Sequence, residues 1–489
     1  MSYIYNQRRA GQRTNNLQGV VIMGKIKFGT DGWRAIVGED FTGENVELVA
    51  RSIAKYVYET YGIEKEIIIG YDPRNMADVF SKQTAEIISG YGFKVSYSSR
   101  VVPTPVLAYC AKHRNACAVM FTASHNPPEY LGIKFIPDYA GPATKDITDA
   151  LEKNIALIES GKWEMGNYLK NNSFTPTDFS EEYYEHIEKL IDFEAIKNAG
   201  INIIFDGLYS ASIGYFDTLL KNHGIKFDSM NMVHDVNFGG GMPEPKPKYM
   251  ADLIEKIKGL NNTVGFANDG DADRFGVINE KGEYVTPNEV IAILLKHLKE
   301  NKKMSGCLVK TVGASLMLDK VAEKTGVDVV ETAVGFKHVG QAMRENDCLI
   351  GGEESGGLSI KGHIPEKDGL LANLLVLEAM AYWNKSLVEL QKELKEFVGC
   401  EFVNDRIDFK LSDRSEIDVV IDKISKITTA GVFDLKKTDR KDGIKIYLGD
   451  NSWVLARPSG TEPLLRIYFE SDSAENLKKL EDDILSKIK

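Results

Sequence analysis

Short apolar runs alternate with amphipathic stretches along most of the chain, and that alternation sets the expected elements. Residues 66–71 (EIIIGY) read as a buried strand, 77–91 as a helix, 94–97 as a strand, and 119–122 as a strand following the apolar Ala118. Short connections between such units favour a mainly parallel sheet. The polar, turn-rich segment 166–179 reads as a linker. The pattern restarts with a strand at 201–205, helices near 213–222 and 249–258, and a strand at 263–267. A third round runs through 308–310, a helix at 315–325, a strand at 329–331 and a helix at 338–345. The last hundred residues differ: strands are expected at 402–409, 444–448, 453–456 and 465–469, with helices at 416–427 and 474–488. In the closing helix Leu477, Leu480, Ile484, Leu485 and Ile488 fall at helical spacing. The expected fold class is α/β: three α/β domains with mixed, mainly parallel sheets, plus a C-terminal α+β domain whose sheet is largely antiparallel. The boundaries fall at 23–172, 173–280, 281–395 and 396–489.

Composition fits this division, because 489 residues exceed what one hydrophobic core can serve. No apolar run approaches the roughly 18 residues of a membrane span. The net charge of -11 argues against a nucleic-acid surface while leaving room for local basic clusters. The five cysteines, Cys110, Cys117, Cys307, Cys348 and Cys400, show neither zinc spacing nor an even disulfide framework, which suits a reducing cytoplasm. Residues 1–22 carry Arg8, Arg9 and Arg13 without an acid, and Val20-Val21-Ile22 is too short for a signal-peptide core. A disordered extension is expected there, with Met23 as a candidate start.

Four loops carry candidate chemistry. In FTASHNPPEYLGIK, Ser124 follows an apolar strand, at the strand end where open α/β sheets place their chemistry, and Asn126-Pro127-Pro128 stiffens the turn. A Ser-His pair in a loop is commonly a solvated turn, and serine needs a base, a metal or a fixed field to react. Asn268-Asp269-Gly270-Asp271-Ala272-Asp273-Arg274 sets three carboxylates at alternate positions, where a tight loop can turn them onto a hard divalent cation. A calcium loop of the helix-loop-helix kind fits poorly, since Glu280 stands behind an intervening strand. Glu353 and Ser355 in GGEESGG can exchange hydrogen bonds with sugar hydroxyls. Arg457-Pro458-Ser459-Gly460-Thr461-Glu462-Pro463, with Arg466 close behind, offers an arginine fork, hydroxyls and backbone amides to an anion.

TASHNP, DGDADR, GGEESGG and RPSGTEP stand in the order and approximate spacing of the α-D-phosphohexomutase superfamily, which the chain resembles beyond its first two dozen residues. FGTDGWR at 28–34 and GYDPR at 70–74 resemble further elements of that family. The resemblance implies three related α/β domains and a smaller fourth around one cleft. It makes Ser124 the phosphorylated serine, with Asp269, Asp271 and Asp273 ligands of one magnesium ion alongside its phosphate oxygen. Glu353 and Ser355 would hold sugar hydroxyls, and Arg457, Ser459, Gly460 and Thr461 the non-reacting phosphate. Arg34, Lys134, Arg274 and Lys337 match the family's basic residues, and His125 or Lys134, either tunable toward neutrality, could move the proton. Two departures leave the sugar open: Gly357 stands where many relatives carry histidine, and Leu131 where many carry asparagine. The implied activity interconverts glucose 1-phosphate and glucose 6-phosphate, with mannose phosphates as further substrates and glucose 1,6-bisphosphate as intermediate and activator. Phosphoglucosamine mutase is the nearest alternative, a metal-dependent sugar phosphatase a more distant one, and a non-catalytic sugar-phosphate sensor a remote third. The expected partners are hexose phosphates, without nucleic acid or membrane, for a cytoplasmic monomer or homodimer.

Overall fold

A computed structural model describes residues 26–29, 31–163, 173–458 and 463–489. The expectations for residues 1–22, and for a start at Met23, lie outside the described residues.

Four sheets follow one another along the chain. The first contains β1 (Trp33–Ile36), β2 (Ile67–Tyr71), β3 (Val95–Ser98), β4 (Cys117–Phe121), β5 (Tyr130–Ile136) and β6 (Thr175–Thr177) in the spatial order β1-β5-β4-β2-β3-β6. The second contains β7 (Asn202–Asp206), β8 (Asp228–Met230), β9 (Thr263–Asn268), β10 (Phe275–Ile278) and β11 (Tyr284–Val285), ordered β11-β10-β9-β7-β8. The third contains β12 (Cys307–Thr311), β13 (Val329–Thr332), β14 (Cys348–Glu353) and β15 (Gly357–Ile360), ordered β13-β12-β14-β15.

These sheets repeat one plan. In each, the middle strand pairs in parallel on both sides, β2 with β3 and β4, β7 with β8 and β9, β12 with β13 and β14. The later parallel neighbour then turns back into an antiparallel partner: β4 into β5, β9 into β10, β14 into β15. Each reversal happens at the C-terminal end of a parallel strand, and the three reversals are the Ser124, Asp269–Asp273 and Glu353–Gly356 loops. The connectivity is therefore a repeat even though the sequence shows none by identity.

The fourth sheet, β16 (Val403–Lys410), β17 (Thr429–Ala430), β18 (Phe433–Asp439), β19 (Ile444–Leu448), β20 (Ser452–Pro458) and β21 (Leu464–Ser471), is antiparallel throughout, as its alternating pattern requires. Helix Ala474–Ile488 buries Leu477, Leu480, Ile484 and Ile488 against it, with Ser473 accepting from Asn476 N as N-cap.

Two of the elements that the sequence reading does not place have a clear physical reason. The expected linker contains β6, which pairs in parallel with β3 at the edge of the first sheet. Its Thr-Pro-Thr sequence carries no apolar alternation, and an edge strand tolerates the proline. Helix Gly369–Trp383 is buried on every side from Gly369 to Met380 and sits in the largest apolar cluster. A helix apolar all round shows no amphipathic period, so the pattern search passes over it. Its start is fixed by Asp368, whose carboxylate accepts from Leu371 N.

Candidate active site

Ser124 leaves β4 in the left-handed backbone region, with φ 52°, a conformation that costs a non-glycine residue energy and persists only when its surroundings enforce it. The enforcement is visible. Ser124 N donates to Thr122 Oγ1 at 2.8 Å, and that hydroxyl donates to Asp72 Oδ2 at 2.6 Å. The buried Arg74 donates to the carbonyl oxygens of Ser124, Asn126, Pro127 and Tyr130 at 2.6–3.0 Å. The Gly70–Arg74 segment, singled out only by resemblance, thus holds the serine loop in shape. Arg34 reaches the same loop through Asn126 Oδ1 at 2.7 Å.

The acidic loop meets this hydroxyl directly. Ser124 Oγ donates to Asp269 Oδ2 at 2.7 Å. One oxygen from each of Asp269, Asp271 and Asp273 lies within 4.8 Å of the others, and all three side chains are fully buried. Gly270 permits the approach, because a Cβ there would stand 2.6 Å from Ser124 O. Three buried carboxylates in one pocket resist ionising together. Accordingly burial, then Asp273 and Asp271, push Asp269 well above the usual range. Burial also acts to raise Asp271, but Lys134 and Thr104 outweigh it and bring it to about 2. Asp271 Oδ1 and Asp273 Oδ1 are buried without a protein partner. An all-oxygen donor set with unused lone pairs fits a hard divalent cation such as magnesium.

Cations ring the carboxylates. Lys134 Nζ lies 2.8 Å from Asp271, 2.9 Å from Asp273 and 2.8 Å from Asp31. Burial alone would lower its pKa, but Asp271, Asp273 and Asp31 together raise it well above the usual lysine range. The expectation that Lys134 is tuned toward neutrality is corrected: three carboxylates hold the ammonium charged. His125 behaves oppositely. Arg274 first, then burial, and then Arg34 keep its imidazole well below the ordinary pKa, and its Nδ1 stands 3.3 Å from Ser124 Oγ.

The third loop adds Glu353, which accepts from Ser355 Oγ at 2.5 Å and is raised by burial. Next to it lies a residue that sequence reasoning missed. Lys367 is buried and reaches Asp273 at 3.2 Å, Glu366 at 3.2 Å and Asp31 at 3.5 Å. Burial raises Glu366 to about 7, and its Oε2 lacks a protein partner. The one available signal was three consecutive charges, Glu366-Lys367-Asp368, directly before an apolar run. Lys367 also accounts for Gly357: a Cβ there would stand 2.4 Å from Lys367 Cδ, so the lysine stem fills the space that a histidine would need. Leu131 packs fully buried in the apolar core of the first sheet, where an amide would find no water.

In the fourth sheet Arg457 and Arg466 are direct partners across β20 and β21. Like charges placed opposite one another repel, so the pair favours an anion between or above them. Arg457 Nε donates to Asp442 Oδ2 at 2.7 Å, and the same oxygen accepts from Val334 N at 2.9 Å. Asp442, unremarked in the sequence, therefore ties the arginine to the turn before helix Phe336–Glu345, whose first turn carries Lys337. The expected phosphate contacts at Ser459, Gly460 and Thr461 lie outside the described residues.

Comparison with known proteins yields four matches in chain order. Residues 25–162, 181–282 and 286–397 match the family models for phosphoglucomutase/phosphomannomutase alpha/beta/alpha domains I, II and III, and residues 407–487 match its C-terminal domain. A Methanopyrus kandleri protein described as a probable phosphoglucosamine mutase is 31% identical over 464 residues, covering 95% of this chain and 97% of the relative. A phosphoglucomutase/phosphomannomutase of Thermococcus kodakarensis is 31% identical over 465 residues, covering 94% and 97%. The crystal structure of a Thermus thermophilus protein ascribed to the phosphomannomutases superposes with a TM-score of 0.83 at 30% identity, covering 94% of this chain and 98% of that one.

Proposed function

The chain belongs to the α-D-phosphohexomutase superfamily and is an intramolecular phosphotransferase, and from that premise we propose that it interconverts glucose 1-phosphate and glucose 6-phosphate and accepts mannose phosphates as well. The observation that carries the mechanism is the strained Ser124, its Oγ 2.7 Å from Asp269 inside the three-aspartate cluster. Phosphoryl transfer asks for alignment and charge stabilisation more than for covalent help. Ser124 Oγ carries the phosphoryl group, and Arg74 and Thr122 fix its direction. Asp269, Asp271 and Asp273 would hold one magnesium ion, which neutralises charge on the phosphoryl group when bound.

Lys134, Arg274, Arg34 and Lys367 add fixed positive charge around the transferring oxygens. The phosphoryl group passes from Ser124 Oγ to a sugar hydroxyl, whose proton is taken by the neutral imidazole of His125 and handed to the departing Ser124 Oγ, 3.3 Å from its Nδ1. The resulting bisphosphate, glucose 1,6-bisphosphate for glucose, turns over and returns its other phosphate to Ser124. Glu353 and Ser355 hold sugar hydroxyls. Arg457, Arg466, Lys337, Ser459, Gly460 and Thr461 grip whichever phosphate is not reacting. The hexose phosphates are handled in the cytoplasm, and no helix among the described residues is long and apolar enough to cross a membrane.

A second reading, phosphoglucosamine mutase, is favoured by the name of the Methanopyrus kandleri relative. Side-by-side turnover of glucose, mannose and glucosamine phosphates decides between them. Intact-mass measurement should show one phosphate on Ser124, absent from Ser124→Ala together with most activity while the variant stays folded. Release of inorganic phosphate in place of isomerised sugar would instead point to a phosphatase.

A further inference from the structure

Behind Lys367 a row of polar side chains crosses the junction of the first three sheets. Asp368 Oδ2 accepts from Tyr183 Oη at 2.8 Å and lies 2.9 Å from His363 Nε2. His363 Nδ1 lies 2.9 Å from His186 Nε2. Tyr109, on helix Thr104–His113, stacks on His186 with centroids 4.2 Å apart, and the two hydrogen-bonded imidazoles lie nearly coplanar, 17° apart, with centroids 5.1 Å apart. Tyr183 and His186 belong to helix Ser180–Leu190, whereas His363 and Asp368 belong to the loop between β15 and helix Gly369–Trp383.

Counting hydrogens gives the row a direction. With His363 neutral, its Nε2–H donates to the carboxylate, its Nδ1 accepts, and His186 Nε2 carries the hydrogen they share. The other Asp368 oxygen accepts from Leu371 N at 2.9 Å, and Asp368 N donates to Leu358 O at 3.0 Å. Asp368 is thus held from three sides, and the neighbouring residue is Lys367, whose Nζ lies 3.2 Å from Asp273.

We propose that His186, His363 and Asp368, with Tyr183, are positioning residues: they transmit the seating of helix Ser180–Leu190 to the peptide of Lys367 and so place its ammonium at Asp31 and Asp273. The kinetic part of this inference rests on the phosphotransferase reading. The geometric part does not. Without the row, Asp368 keeps its helix-capping bond but loses the lateral contacts that fix how the preceding residue enters the site.

The test is His363→Phe, which keeps a flat ring in the stack and removes both hydrogen bonds. Displacing a charged group by about 1 Å in such a site costs on the order of 10- to 100-fold in rate. The variant should therefore lose about 10- to 30-fold in kcat with KM for the preferred hexose phosphate changed less than about threefold. His363→Gln, which can still donate and accept, should recover most of the loss. In a Lys367→Gln background, His363→Phe should change kcat by less than about twofold, because the residue through which it acts is gone. Full multiplication of the two effects would overturn the proposal. A crystal structure of His363→Phe should show Lys367 Nζ withdrawn from Asp273, and an unmoved lysine overturns the proposal whatever the enzyme's substrate proves to be. Should His363→Phe fail to fold, His186→Phe, at the partly exposed end of the row, is judged by the same lysine displacement. A parent without mutase turnover would refute the functional reading, and the lysine position would still decide this one.

Discussion

Adding one methyl group at Gly270 tests whether the contact between the serine and acidic loops governs turnover. Gly270 does not use left-handed backbone, so alanine suits its conformation and the effect is steric. The new Cβ would stand 2.6 Å from Ser124 O and 3.3 Å from Pro243 Cβ. Carbon and carbonyl oxygen approach to about 3.3 Å at closest, so the two loops must separate by about 0.7 Å. The carbonyl cannot yield easily, because Arg74 holds it at 2.7 Å. With about 100-fold lost per ångström of misplacement, the expected loss is roughly 25-fold in kcat, near 2 kcal/mol of barrier. The assay is mutase turnover of Gly270→Ala at saturating sugar phosphate and magnesium, alongside the phosphoserine fraction by mass and the melting temperature. The parent's melting temperature should be kept within a few degrees, since the strain falls on two loop ends and not on a core. Turnover within about twofold of the parent would refute the reasoning, as would a loss explained by unfolding.

Asp271→Asn removes from the cluster the one carboxylate that Lys134 and Thr104 lower, and activity should fall by orders of magnitude; unchanged turnover of the parent after exhaustive chelation would deny the cluster its metal. Arg457→Ala should weaken sugar-phosphate binding in both directions by about 1.5 to 3 kcal/mol, with more bisphosphate escaping and the phosphoserine intact; normal affinity in both directions would remove this arginine from the grip. A third outcome concerns pH. His186 is lowered to about 4, chiefly by burial and then by His363, against an ordinary histidine value of 6.5. The unfolded chain therefore binds its proton first, so the stability it contributes is complete above about pH 6.5 and is lost as pH falls toward 4. Melting curves of the parent and His186→Gln across that window should converge toward the acid end, and parallel curves would contradict the assignment.

The serine, aspartate and sugar loops are legible because each is a compact run of polar residues directly behind an apolar strand, and local pattern reports such features well. What escapes lies in long-range pairing. Lys367 meets Asp31 across most of the chain, and nothing near either residue signals the other. Asp442 is an ordinary turn acid until the fold sets it between Arg457 and Val334. Lys134 is recognisable in the sequence but its charge state is not, because its pKa depends on which carboxylates converge on it. Helix Gly369–Trp383 escapes for a different reason: full burial erases the period by which a helix is recognised.

The left-handed backbone at Ser124 bears on which alcohol can serve here. Threonine offers the same hydroxyl, but its branched Cβ crowds the backbone at positive φ, where β-branched residues are outliers. Thr122, two residues earlier, is already committed to bracing the loop. The bend that aims the oxygen therefore also selects an unbranched side chain to carry it, and a single-base exchange of serine for threonine, harmless by chemistry alone, is barred by conformation.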